Sequence, residues 1–471
     1  MPAAEPRKAR RAAAPTLSAA LPQRVAFEAH ANGDVFACCA DFSVGLGNFG
    51  PEALAQARRL REGLPLASFS SGKRGVDREV DLLVRRLSRR GLVEFCLSDG
   101  SIAIEPQTPN YWPQTPQLRD ADTLQLSRFA YFHRRGDALA LESPRADALF
   151  RLRDPRIAGV LAMLTAPRRI EELRREPNFP GLTLLALLAD CGILLRARGR
   201  RPEEDFEGLA LWEFHDLLFH ARCTAGRHAN PVGAVYAHSG VVQPLPAARP
   251  SWPGEKIALS SYCEEDAAKA SAFAKLLRDR HSARSFDAAR PIALAELARF
   301  LDGAARLLWA SEEKSGFDDG GMAARPYPTA GAANELELYL AVENCEGLAR
   351  GFYHYDSALH ALAAIDAPAD AFEALLSGAV EAMGAAHAPQ ILIVIAARFG
   401  RVSWKYGSIA YSLILKDAGV LTQTLYLMAT EMGLGGCAIG ISNIELFAKL
   451  TGVADHSEGP VAQFALGRPA G

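Results

Sequence analysis

Lysine and tyrosine stand side by side at Lys405 and Tyr406 in VSWKYGSIAYSLILKDAGVLTQTLYLMATEMGLGG, just ahead of a long run with helical apolar spacing. An ammonium and a phenol at one helix entrance can serve a single proton transfer, one as base and the other as donor or orienting group. A rigid, half-buried position there leaves both groups little freedom to lose. A lysine works as a base only when burial lowers its pKa. The same dipeptide also suits a surface lysine beside an interface tyrosine, so the pair needs its neighbours to be read.

Those neighbours are four further stretches. RDRHSARSFD places Arg280, His281, Ser282 and Arg284 just before PIALAELARFL, a helix whose start Pro291 marks. Two fork-shaped guanidiniums and a hydroxyl make a phosphate clamp. RPYPTAGAANELELYLAV sets the small residues Thr329, Ala330 and Gly331 between Pro328 and a strand pattern, where backbone can approach a flat ligand. EMGLGGCAIGIS follows the long helix with Gly433 as its C-terminal cap, and its other glycines clear side chains from a surface where a ring could lie. Arg468 sits near the end in QFALGRPAG. His215, His220 and His228 suggest a metal, but the i, i+5 spacing of the first two puts them on different helix faces. No metal site is expected.

The elements that must hold these residues fall in the second half of the chain. From about 257 to 471, helical patterns alternate with strand patterns such as LELYLAVENC and QILIVIAARF, which indicates an α/β or α+β sandwich; the α+β class is expected. A Pro-rich passage, GVVQPLPAARPSWPGEK, lies in a connecting helix and linker over 199–256. Upstream, VDLLVRRLSRRGLVEF and TLLALLADCGILLRA repeat one design, an amphipathic helix stopped by glycine and passed into a strand. They predict two winged-helix-like modules, 40–106 and 145–198. Arg85, Arg86, Arg89 and Arg90 give the first a basic side, yet the second has Ala, Leu and Asp190 instead, so a solvated face is expected rather than nucleic acid. Residues 1–39 are expected to be a disordered or extended leader.

Composition restricts the partners further. With 471 residues, 49% of them hydrophobic, and a net charge of −2, the chain has no overall field to gather nucleic acid or an anionic membrane. Its eight cysteines show no CxxC pair, consistent with free thiols in a reducing compartment. Neither a signal peptide nor a membrane-spanning run is evident, so a cytoplasmic protein is expected.

Together, RHSARSFD, the small-residue loop before LELYLAV, MGLGG after the long helix and the late basic residue resemble the flavin-dependent nitroreductases. More narrowly, RPYPTAGAANELELYLAV with CEGLARGFYHYDSALHAL and WKYG resembles the SagB-type peptide (azoline) dehydrogenases. LSRFAYFHRRGDALALESP and LWEFHDLLFHARCTAGRH match long members, so the resemblance spans essentially the whole chain.

The resemblance implies FMN bound non-covalently at a homodimer interface. It assigns Arg280, His281, Ser282 and Arg284 to the phosphate and the pyrimidine side. Pro328, Thr329, Ala330 and Gly331 would line the flavin from the partner subunit. Ala438, Ile439 and Gly440 would face the ring near N5, and Arg468 would reach the phosphate. Lys405 and Tyr406 correspond to a pair implicated in catalysis. Ser412 stands where relatives often carry Arg or Lys, and PTAG replaces the usual PSGG. The implied reaction oxidises thiazoline or oxazoline rings to azoles in a ribosomally synthesised, post-translationally modified peptide. The N-terminal modules would handle the peptide leader or dock a cyclodehydratase. The competing readings are a broad NAD(P)H-dependent nitro or quinone reductase, and a flavin-bearing regulator whose modules bind DNA or partners.

Overall fold

The computed structural model of the chain describes residues 15–470, apart from 31, 40–41, 71, 198–203, 205, 231, 235, 237, 250, 252, 263–270 and 312–320. Part of the expected leader and part of the expected linker therefore lie outside the described residues. Two compact units divide the chain, one formed mainly by residues up to 210 and the other mainly by residues from 230 to the end.

The first unit carries the repeat as two copies of helix, short strand, helix and strand. In the first copy, helix Pro51–Ala57 leads to strand Leu64–Pro65, then helix Gly75–Ser88 and strand Glu94–Leu97. In the second, helix Arg156–Ala162 leads to strand Arg168–Arg169, then helices Ile170–Leu173 and Leu182–Asp190, and strand Leu194–Arg196. Each long helix stops at a left-handed glycine, Gly91 (φ 64°) or Gly192 (φ 67°). The next residue closes the turn, with N–H of Leu92 donating to Leu87 and N–H of Ile193 to Leu188.

The strand between the two short strands of each copy comes from upstream. Leu17–Ala20 fills that place in the first copy and Thr123–Leu126 in the second. The expected boundaries at 40 and 145 leave both central strands out, because hydrophobic periodicity marks local elements and not long-range pairing. Strands Leu17–Ala20, Ala26–Ala29 and Asp34–Cys39 also show that the 1–39 stretch is extended and sheet-paired from residue 17. On the basic run, Arg85 pairs with Asp81 and lies over the Trp112 ring, while Arg86 donates to the carbonyl of Leu46.

The second unit is built on a six-stranded antiparallel sheet. Its order is Ala361–Ile365, Gly351–Asp356, Leu336–Val342, Ile391–Arg398, Glu458–Gly467 and Gly435–Ile439. ILIVIAAR reads as a continuous apolar run because both faces of its strand are covered. Leu392, Val394 and Ala396 face Phe372, Leu375 and Leu376 of helix Ala369–Met383. On the opposite face the 22-residue helix Ala410–Glu431, the core helix, packs on the sheet and on helix Leu294–Ala305. Antiparallel strands with helices on both faces make this unit α+β, as expected. Among the described residues no helix is long and apolar enough to cross a membrane.

Candidate active site

The core helix organises the site. Its buried residues Ala410, Ile414, Ala418, Leu421, Leu425 and Ala429 follow helical spacing and fix it against the sheet. Asp417 and Tyr426 also lie in that buried stripe. Each anchors one of two groups of candidate residues, separated by about 13 Å along the helix at about 1.5 Å per residue.

The first group joins the small-residue loop to the lysine–tyrosine pair. Gly331 is left-handed at φ 58° within the short 3-10 turn Ala330–Ala332. A Cβ built on it would lie 2.5 Å from Tyr406 Oη and 3.2 Å from Lys405 Nζ. Only glycine therefore fits both the backbone and the space. The loop is pinned from behind, where N–H of Ala330 donates to Asp417 Oδ2 at 2.7 Å. N–H of Asn334 donates to Thr329 Oγ1 at 3.1 Å. Lys405 and Tyr406 occupy the turn between the short helix Gly400–Ser403 and the core helix. Tyr406 is half-buried, but Lys405 is exposed, a correction to the expected half-buried pair. The reason is that their turn lies at the surface, with Trp404 and Ile409 exposed on either side.

Behind this loop lies a buried carboxyl pair that the sequence reading passed over. Glu335 is fully buried, and neither carboxyl oxygen has a hydrogen-bond partner among the described residues. Burial first, and then the neighbouring Asp417, raise its carboxyl to about 7, with its own backbone N–H and Arg325 opposing the shift. Asp417 had a legible signal, a carboxylate in the apolar stripe of LILKDAGVL. Glu335 had none, because ELEL alternates like any half-exposed strand.

The second group is built around Tyr426, also unforeseen. Its hydroxyl accepts N–H of Ala438 at 2.8 Å and lies 2.7 Å from Ser282 Oγ. The Arg280 guanidinium lies over its ring, 5.0 Å from the centroid. N–H of Ala283 donates to the carbonyl of Gly436, so the RHSAR loop runs beside the edge strand Gly435–Ile439. Ala438 and Gly440 are exposed there and Ile439 is buried. His281 and Arg284 are exposed, and among the described residues no carboxylate pairs with Arg280 or Arg284.

Two expectations change here. Gly435 and Gly436 make room for the protein itself, since a Cβ on either would strike Ala283 or Phe464. Gly440 has open space instead. Arg468, expected to point at a phosphate, forms an ion pair with Glu296 Oε2 at 2.7 Å. Glu296 also accepts N–H of Ala293, and both contacts hold its carboxyl below the usual range. Buried Gln390 ties this corner together, accepting N–H of Ile292 and Arg468 and donating to Asp287 and Arg290 carbonyls. Pro328 is exposed at the start of its loop. Among the described residues no cluster of His, Cys, Asp or Glu could hold a metal ion.

Residues 277–468 match the nitroreductase family model, and residues 124–229 match that of the cyanobactin oxidase ThcOx. A putative nitroreductase of Methanocaldococcus jannaschii is 31% identical over 165 residues, 35% of this chain and 76% of that protein. The chain belongs to the nitroreductase family. The two matched segments together support the SagB-type resemblance. Solved structures with which it shares similarity include a putative nitroreductase from Ralstonia eutropha (21% identity, TM-score 0.31, covering 49% of this chain and 100% of that one). Another is the E. coli microcin synthetase McbBCD complex with truncated pro-MccB17 bound (18% identity, TM-score 0.40, covering 58% and 100%). A third is a putative nitroreductase in complex with FMN from Desulfovibrio desulfuricans (14% identity, TM-score 0.28, covering 43% and 89%).

The second group suits the flavin that members of this family typically bind. Among the described residues no carboxylate offsets the guanidiniums of Arg280 and Arg284, which fit a phosphate, and the exposed Ala438 and the open Cβ position of Gly440 leave the strand edge accessible to a planar ring. Arg468 does not fit as a direct phosphate ligand while Glu296 holds it.

Proposed function

We propose that this protein oxidises thiazoline or oxazoline rings in a ribosomally made peptide to the aromatic azoles, using FMN. The observation that carries the reading is the meeting of Lys405 and Tyr406 at Gly331. The cyanobactin oxidase match over 124–229 supports a peptide substrate and, through it, a cyclodehydratase partner that makes the azoline. The cytoplasm, where such peptides are made, is the proposed location.

Aromatising the ring removes a proton and a hydride from adjacent ring carbons. Bound FMN would supply the hydride acceptor, held by Arg280, His281, Ser282 and Arg284 at its phosphate end and by Ala438, Ile439 and Gly440 along the ring. Lys405 or Tyr406 takes the proton, and the other group orients it or hydrogen-bonds the azoline nitrogen. Pro328 to Gly331 place that pair over the reacting atoms from the partner subunit.

In this reading the protein acts as a homodimer, with the two groups of one site contributed by different subunits. Apolar surface available for it includes Trp404 and Ile409 beside the pair. Helix Ala272–Asp279, just before the clamp, exposes Phe273 and Leu277 and buries none of its residues.

The test is incubation of the purified yellow protein with a cyclised peptide, read by mass spectrometry for a two-dalton loss per ring. Lys405→Ala and Tyr406→Phe should abolish the product while retaining the colour. An intact azoline together with rapid flavin bleaching by NAD(P)H would favour the broad nitro or quinone reductase, a reading the family match keeps open.

A further inference from the structure

Glu335 and Asp417 make no appearance in the proposed proton transfer, yet they lie directly behind the loop that meets it. Asp417 holds the loop through N–H of Ala330, and the next residue, Gly331, carries the contact with Tyr406 and Lys405. Glu335 has no exposed surface, and among the described residues neither of its oxygens accepts a hydrogen bond; Asp417 is the carboxylate that acts on it. Two ionised carboxylates in such a place would repel each other and lack the partners that burial demands. A single proton resolves both problems, because a protonated Glu335 loses its charge and can donate to Asp417.

We propose that Glu335 keeps a proton that it donates to Asp417, and that the two act as a positioning pair that holds the Thr329–Gly331 loop against Lys405 and Tyr406. The charged and titratable groups around the pair are Arg325 and Tyr327, from the segment before the loop, Glu337 further along the strand, and Arg398 and Arg401, which donate to the carbonyls of Asn334 and Ala333. Arg325 donates to the carbonyl of Leu336 and the hydroxyl of Tyr327 and lies 3.9 Å from Glu337 Oε1, so its single charge is already shared with another carboxylate. When the Glu335 proton leaves, repulsion moves Asp417 off Ala330 and loosens the loop. Its bearing on catalysis rests on the azoline-oxidase reading; the proton pair itself does not.

The test is hydrogen–deuterium exchange of the Ala330 region across pH 5 to 8, corrected for intrinsic exchange, on the full-length protein. Protection should fall about tenfold or more as pH rises through neutrality in the wild type and stay level in Glu335→Gln. Asp417→Ala should lose it at every pH, and Asp417→Asn, which keeps an accepting oxygen, should restore part of it. Infrared titration should show a protonated carboxyl in the wild type that Glu335→Gln removes. Level protection in the wild type, or a pH step that survives in Glu335→Gln, would overturn the proposal. A wild type that makes no azole, yet shows this exchange pattern, would sink the proposed reaction and leave the pair standing.

Discussion

At the residue scale, the site depends on single atoms placed where chemistry or sterics leave no alternative. Gly331 is the clearest case. Gly331→Ala meets a left-handed backbone and collides with Tyr406 and Lys405. About 1–3 kcal/mol of stability should be lost, visible in denaturant unfolding. Azole formation should fall about a hundredfold, because an ångström of displacement at the acting pair is enough. Glu335 gives a prediction of opposite sign to the ordinary acid. Its folded pKa lies above the usual value of 4.5, at about 7, so the folded state keeps a proton that the unfolded chain has lost. Stability should therefore fall as pH rises from about 4.5 to 7, by on the order of 3 kcal/mol, and stay level with respect to this group above that window. Glu335→Gln should flatten that slope in denaturation curves taken at successive pH values; an unchanged slope would assign it to other groups.

At the scale of elements, the core helix is both scaffold and address. The glycine turn after it returns the chain into the edge strand, with N–H of Leu434 donating to Ala429 and Gly433 left-handed at φ 66°. Tyr426, near its end, then fastens that strand to the clamp loop. Tyr426→Phe removes the acceptor for N–H of Ala438 and the partner of Ser282. About 1–3 kcal/mol should be lost if that N–H is left unsatisfied. FMN affinity should drop with it, measured by fluorescence quenching on titration. A variant that binds FMN as tightly as the wild type would show that the clamp does not depend on this link.

At the scale of the whole molecule, the proposed site needs two copies of the chain. Sedimentation should report a dimer carrying one FMN per subunit, and dilution into the monomer range should release the flavin. A yellow monomer would separate flavin binding from dimerisation and remove the proposed route by which Lys405 and Tyr406 reach the ring. The first unit's repeat has the same scale, since each copy is completed by a strand drawn from far upstream.

The sequence alone determined the α+β class of the second unit, the glycine stops of the repeat and membership of the nitroreductase family. All of these are written in local signals: periodicity, caps and contiguous motifs. Glycine-rich MGLGG was legible as a helix end, although two of its glycines serve packing against Ala283 and Phe464. Only the tertiary structure decided that Gly331 stands against Lys405 and Tyr406, that Tyr426 links clamp to strand, that Glu296 occupies Arg468, and that Glu335 is buried under the influence of Asp417. Those relations join residues far apart in the chain. Burial and pairing there are set by which elements come to share a core, which no local pattern encodes.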